Sequence, residues 1–395
     1  MMIKTLNDYD ITNKRILLRV DLNVPLNKGQ ILDNSRLKSI VPTINLIKSL
    51  KGKIILISHM GRPKGIYQKE LSLEQIVPEL TRLLNCQVHF SSEIIGNDIL
   101  KKTHELKCGD ILLLENTRFY HEEISNNENF SRELAKLGDI YCNDAFSASH
   151  RAHASTVGIA KLLPNCVGCL MKKEIETLEK VLKEPEKPLV AVIGGAKIST
   201  KLDLLLNLIE KVDYLIIGGG MANTFLFAKD IKIGNSLCEK NLKNTALKIL
   251  AKAKKNNCLV ILPSDAVVSK EFSSNSKSIV REIKDIKNDE MILDIGPSSC
   301  DEIKKVFSIS KTVIWNGPMG AFELKPYDKG TITTSKFAAK LTKNNKLISV
   351  AGGGDTVSAL KKSEVDKDFT YLSLAGGAFL EWMEGKKLPG IFCLL

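Results

Sequence analysis

The sequence predicts an α/β protein of two doubly wound parallel-sheet domains, Rossmann-like in their layering, joined by an interdomain helix. Three observations carry this. The chain has 395 residues, beyond the size at which one hydrophobic core normally keeps growing. Short apolar runs recur in both halves and are continuous rather than alternating, as expected of strands covered on both faces. A polar or glycine turn and then a helical stretch follow each run, which is the grammar of repeated strand–helix units.

In the first half the runs are RILLRVD at 15–21, KIILISHMG at 53–61, DILLLENTR at 110–118 and DIYCNDAF at 139–146. The second half has PLVAVIGGAK at 188–197, VDYLIIGGG at 212–220, TVIWNGPMG at 312–320, KLISVAGGGDT at 346–356 and TYLSLAGG at 370–377. Between them Met171, Ile175, Leu178 and Leu182 fall on one face at helical spacing, and Pro185 and Pro188 stop the helix. The expected domains are 1–169, with a tail at 378–395 packing back on it, and 186–377, with a hinge helix at 170–185. The tail ends in LPGIFCLL, whose leucines need cover.

Hydrophobic residues are 44% and charged residues 26%, the balance of a soluble globular protein. No apolar run approaches the roughly 18–20 residues that span a bilayer, and the N-terminus lacks a secretory apolar segment. A cytoplasmic protein without membrane contact is expected. Of nine cysteines, Cys166 and Cys169 alone have C-x-x-C spacing, with no second pair to complete a zinc site. Free thiols in a reducing compartment are the expected state.

The net charge is +12, yet there are 48 lysines and only nine arginines, eight of them at or before residue 151. Arginine presents a rigid fork that grips phosphate or carboxylate at two points. Its clustering in a lysine-rich chain implies a specific anion site, with Arg15, Arg82 and Arg132 set aside as surface ion pairs. All six histidines lie between residues 59 and 153. Scattered lysines with 6% aromatics do not suit nucleic-acid binding. A nicotinamide dehydrogenase should carry G-x-G-x-x-G after a strand, and a P-loop enzyme G-x-x-x-x-G-K-[ST]; both are missing. The glycines of GGGDT at 352–356 instead let backbone approach phosphates at a helix N-terminus, with Asp355 available to a hard cation.

The segments RVDLNVP at 19–25, SHMGRP at 58–63, ENTRF at 115–119, NDAFSASHRAHAST at 143–156, GGAKISTK at 194–201, WNGPMGAFE at 315–323 and GGGDT resemble the phosphoglycerate kinase motifs, in family order and over essentially the whole chain. The resemblance implies a bacterial-type, monomeric hinge-bending enzyme. It would move a phosphoryl group between 1,3-bisphosphoglycerate and ADP with Mg²⁺, touching small molecules and no nucleic acid. By similarity Asp21, Asn23, Arg36, His59, Met60, Gly61, Arg62, Arg118 and Arg151 bind the acid. Lys201, Asn316, Glu323, Gly352, Gly353, Gly354, Asp355 and Thr356 bind the nucleotide, Gly219 and Gly220 shape the adenine pocket, and Asp355 serves the metal. Ser147 and Ser149 stand where the family more usually has Gly and Ala, and Ile292 where it often has a glycine.

Such a reaction needs no general base, because the attacking phosphate or carboxylate oxygen is already ionised. Alignment and electrostatic stabilisation suffice. Arg36 and Lys197 are the expected catalytic clamp on the transferring group. Closure would exclude water from an easily hydrolysed acyl phosphate.

Overall fold

In the computed structural model, which describes residues 3–27 and 29–395, the apolar runs form two six-stranded, wholly parallel sheets. The chain divides into two compact units, Met1–Glu176 with Lys387–Leu395, and Thr177–Lys386. The boundary falls inside the helix Cys169–Lys183, whose stripe of Met171, Ile175, Leu178 and Leu182 is buried as its spacing requires.

The first unit contains β1 (Arg15–Arg19), β2 (Lys53–Ile57), β3 (Val88–Ser91), β4 (Ile111–Leu114), β5 (Ile140–Asn143) and β6 (Asn165–Val167). They lie in the order β3-β4-β2-β1-β5-β6. Consecutive residues of β1, β2 and β4 are buried on both faces, which is why these runs do not alternate. The order reverses at β1, so the loops leaving β1, β2 and β5 open on one crevice.

The first turn of the helix Cys169–Lys183 is anchored in this unit. Met171 N donates to Asp144 Oδ1 at 2.9 Å, and Thr43 Oγ1 donates to Oδ2 at 2.6 Å. Burial pushes the Asp144 carboxyl up to about 6, against the pull of those hydrogen bonds. The C-terminal turn Pro389–Phe392 docks beside it: Gly390 N donates to Ser149 O at 2.9 Å and Asn143 Nδ2 to Gly390 O at 3.0 Å. Leu388, Ile391 and Leu394 are buried.

The second unit contains β7 (Leu189–Ile193), β8 (Tyr214–Ile217), β9 (Leu259–Ile261), β10 (Asp265–Ser269), β11 (Ile279–Glu282), β12 (Met291–Ile295), β13 (Thr312–Asn316), β14 (Ile348–Gly352) and β15 (Tyr371–Ser373). The parallel sheet runs β9-β8-β7-β13-β14-β15 and reverses between β7 and β13. Strands β11-β10-β12 form a separate antiparallel sheet that the sequence reading lacks. No residue of β11 is buried, so it offers no continuous buried apolar run to detect. Residues 378–386, which the expected tail included, cluster with this unit: the helix Gly377–Met383 packs on Leu202–Leu208, and Asn207 Nδ2 donates to Met383 O.

Candidate functional site

The crevice of the first unit is built from the ends of its central strands. Asp21 follows β1 and accepts from Asn23 N at 3.0 Å, while Arg36 Nη1 reaches Asp21 Oδ1 and Asn23 O, both at 3.0 Å. Asn23 Oδ1 accepts from Gly61 N at 2.9 Å, Asn116 Nδ2 donates to Met60 O at 2.7 Å, and Arg118 Nη1 donates to Gly61 O at 2.8 Å. Asp21, Asn23, Arg36, Met60, Gly61 and Arg118 thus belong to one bonded network. Arg62 and Arg151 are exposed, and both add to the positive field at Arg118. Arg151 Nε bonds His150 Nε2 at 3.1 Å, so His150 braces an arginine.

Beneath this rim the electrostatics run strongly positive. Burial, with Arg19 and Arg151 next, pushes the Arg118 guanidinium down to about 10. Burial, with Arg19, Arg118, Arg36 and His153 behind it, holds His59 well below the ordinary histidine range. His153 is pushed to about 3, by burial first and by Arg118, Arg19 and Arg151 after it. At 3.7 Å from Glu123 Oε1, His153 is therefore a neutral neighbour at pH 7 rather than half of an ion pair. Cations whose protonation is opposed in this way mark a place prepared for an anion.

Arg15, Arg82 and Arg132 pair instead with Asp139, Glu79 and Glu128. The sequence reading missed Arg19, fully buried at the end of β1, and Ser155, whose hydroxyl joins it to the buried Glu123. A charge inside the continuous apolar stretch RILLRV was the available signal. Ser147 was recognised only as a departure from the family pattern; its hydroxyl donates to Asp21 Oδ2.

In the second unit a cavity of about 380 Å³ is lined by Gly219, Gly220, Ile292, Met319, Glu323 and Asp355, among others. Gly219 sits at φ +67°, and a Cβ there would stand 2.7 Å from Gly195 O, so backbone forms this wall. Beside it Lys201 Nζ donates to Gly194 O at 2.7 Å and to Asn316 Oδ1 at 2.6 Å. Burial pushes this ammonium down to about 8, and Asp355 opposes the shift. Asn316 Nδ2 donates to Gly352 O at 2.7 Å, and Gly317 N donates to Thr356 Oγ1 at 2.7 Å. Asn316 and Thr356 are buried with these groups already bonded, so they brace the wall.

Gly353 takes φ +100° before the helix Gly354–Lys362, and a Cβ would lie 2.5 Å from Asn316 Nδ2. Gly354 and Asp355 are exposed in that helix's first turn, where unpaired N–H groups favour phosphate. Lys197 is exposed and stands outside both the cavity wall and this bonded network, with its charge felt at Glu239. Among the described residues no group of three or more His, Cys, Asp or Glu could hold a metal ion. A cation here would use Asp355 and the ligand's own phosphates, as Mg²⁺ commonly does.

The phosphoglycerate kinase family model matches residues 6–386. The phosphoglycerate kinase of Ruegeria pomeroyi is 54% identical over 392 residues, covering 99% of this chain and 98% of that protein. That of Bradyrhizobium diazoefficiens is 53% identical, covering 98% and 97%. The solved phosphoglycerate kinase of Coxiella burnetii superposes with a TM-score of 0.92 at 40% identity, covering 100% of this chain and 99% of that one. The chain belongs to the phosphoglycerate kinase family of phosphoryl-transfer enzymes.

Proposed function

We propose that the chain catalyses reversible phosphoryl transfer from 1,3-bisphosphoglycerate to MgADP, giving 3-phosphoglycerate and MgATP. The observation that carries the acid site is the unneutralised positive field around His59, Arg118 and His153, which suits a small molecule bearing phosphate and carboxylate. His59, Arg62, Arg118 and Arg151 would meet that charge, with Asp21, Asn23, Met60 and Gly61 setting the geometry. Asp21 holds Arg36 through its carboxylate, 2.9 Å from Nη1.

For the nucleotide, Gly219 and Gly220 face the base, Glu323 accepts ribose hydroxyls, and Gly352, Gly353, Gly354 and Lys201 receive phosphates. Asn316 and Thr356 support them. Asp355 would hold the Mg²⁺, which when bound neutralises phosphate charge.

Transfer runs in line from one phosphate-bearing oxygen to the other, with both nucleophiles already ionised, so no side chain removes a proton. Arg36 and Lys197 are assigned the equatorial oxygens in the transition state. They lie on different units, so turnover requires hinge closure. A cytoplasmic monomer that uses no nucleic acid or membrane fits this reading; among the described residues no helix is long and apolar enough to cross a bilayer. Neither a dehydrogenase nor a nucleic-acid-binding function is supported by the relatives found.

The test is Mg²⁺-dependent ADP formation from ATP on adding 3-phosphoglycerate. Turnover should require that acid and fall on the order of 10²–10³ in Lys197→Ala and in Arg36→Ala. A variant that keeps most of its turnover removes that residue from the clamp. Absence of acid-dependent turnover in the folded wild type defeats the reading.

A further inference from the structure

We infer that Arg19 is a positioning residue that locks His59 as the neutral Nε2–H tautomer, making His59 a hydrogen-bond donor toward the acid substrate. The ligand's identity rests on the function proposed above; the tautomer does not.

Arg19 ends β1 and is fully buried, as is Glu123, while His59 is 6% exposed. A guanidinium has five N–H donors and no acceptor. Its Nη2 lies 3.0 Å from His59 Nδ1, so that ring nitrogen must offer a lone pair. The proton of the neutral ring then belongs on Nε2. The guanidinium cannot rotate away, because its other groups are engaged. Nε donates to Ser155 Oγ at 2.9 Å and Nη1 donates to Val20 O. Ser155 Oγ in turn donates to Glu123 Oε1 at 2.6 Å, and Ser155 N donates to Oε2 at 2.9 Å. The hydroxyl therefore faces Arg19 as acceptor and Glu123 as donor, and the chain admits one orientation. Both Glu123 oxygens are taken by Ser155, its charge is felt at Arg118, and no carboxylate is left to stabilise a protonated His59.

Protonation of His59 would bring an N–H donor against another donor and add a positive charge beside Arg19. The remaining charged and titratable neighbours act in the same sense or stay silent. Arg118, from the turn after β4, and Arg36, from the helix Ser35–Ser39, both oppose it, while His153 stays neutral. Asp21 is occupied by Arg36 and Ser147. Without Arg19 a histidine at this place could choose either tautomer, and in the Nδ1–H form would turn a lone pair toward an anion. Its fixed orientation spares the substrate that repulsion.

Long-range ¹H–¹⁵N spectra of the full chain, with the His59 signal assigned through His59→Gln, read the tautomer without turnover. The expected result is Nε2–H at His59 and no titration between about pH 5.5 and 8. An Nδ1–H ring, a mixture, or titration near the ordinary 6.5 overturns the inference even if Arg19→Met fails to fold. In folded Arg19→Met burial still keeps the ring neutral, but His59 should show a mixture of Nδ1–H and Nε2–H tautomers, and KM for 3-phosphoglycerate should rise about two- to tenfold. Arg19→Lys, which keeps a donor, should recover the wild-type tautomer. An unchanged His59 spectrum in Arg19→Met would make Arg19 a packing residue only, whatever happened to turnover.

Discussion

Lys201 is a cation held among carbonyl oxygens, Gly194 O and Asn316 O, with Asn316 Oδ1 as its third acceptor. Burial makes its ammonium easier to deprotonate, to about 8, and an arriving phosphate reverses that preference. If the charged form binds the nucleotide as proposed, affinity for ADP should be full below pH 7 and fall about tenfold as the pH rises through 8 and beyond. Calorimetric titration across that range checks this. Lys201→Ala should bind weakly at every pH and lose the slope; a wild type with flat affinity to pH 9 would contradict the role. At this scale the sequence was informative where chemistry was unusual. A cluster of arginines among lysines pointed to the proposed anion site, and Arg15, Arg82 and Arg132 were separable as ion-paired. Arg19 escaped because burial and partners spread over 136 residues of chain, as for Ser155, are tertiary facts.

The helix Cys169–Lys183 begins where Asp144 receives its first N–H groups, since helix N-termini leave four donors without intrahelical partners. Asp144 follows the strand whose next loop carries His150 and Arg151, so one carboxylate joins that loop to the helix. Asp144→Ala should cost the first unit about 1–3 kcal/mol, because Met171 N would be left buried without an acceptor. Hydrogen exchange should show Leu170 and Met171 opening first, ahead of the central strands. Exchange that accelerated evenly across the unit would refute a local cap. The helix itself was legible from its apolar stripe and its closing prolines. Strands Val88–Ser91, Asn165–Val167 and Leu259–Ile261 were not, because each is a short sheet edge with polar or partly exposed positions that leave no continuous buried apolar run. The antiparallel β10–β12 sheet was also missed, since a half-exposed strand shows no continuous apolar run.

Over the whole molecule, two sheets with the same kind of reversal each leave a crevice at the carboxyl ends of central strands. The sequence showed which strands end in motif-bearing loops, but not their order, which depends on pairing between distant segments. It also showed that the apolar end of the chain required cover. Removal of residues 388–395 should leave Ser149 O and Asn143 Nδ2 without Gly390, and loosen the loop bearing Arg151. KM for 3-phosphoglycerate should then rise more than KM for ATP, which steady-state kinetics with each substrate varied in turn would reveal; an equal change in both would contradict a local buttress. The same tail sets a schedule for synthesis. The first unit's strands leave the ribosome early, but the piece that covers Ser149 comes last, after all of Thr177–Lys386 has been made. At about 5–20 residues per second, that interval lasts about 10–40 s. For that time the nascent first unit has an uncovered apolar seat, so the half proposed to bind the acid is completed only once Lys387–Leu395 has followed.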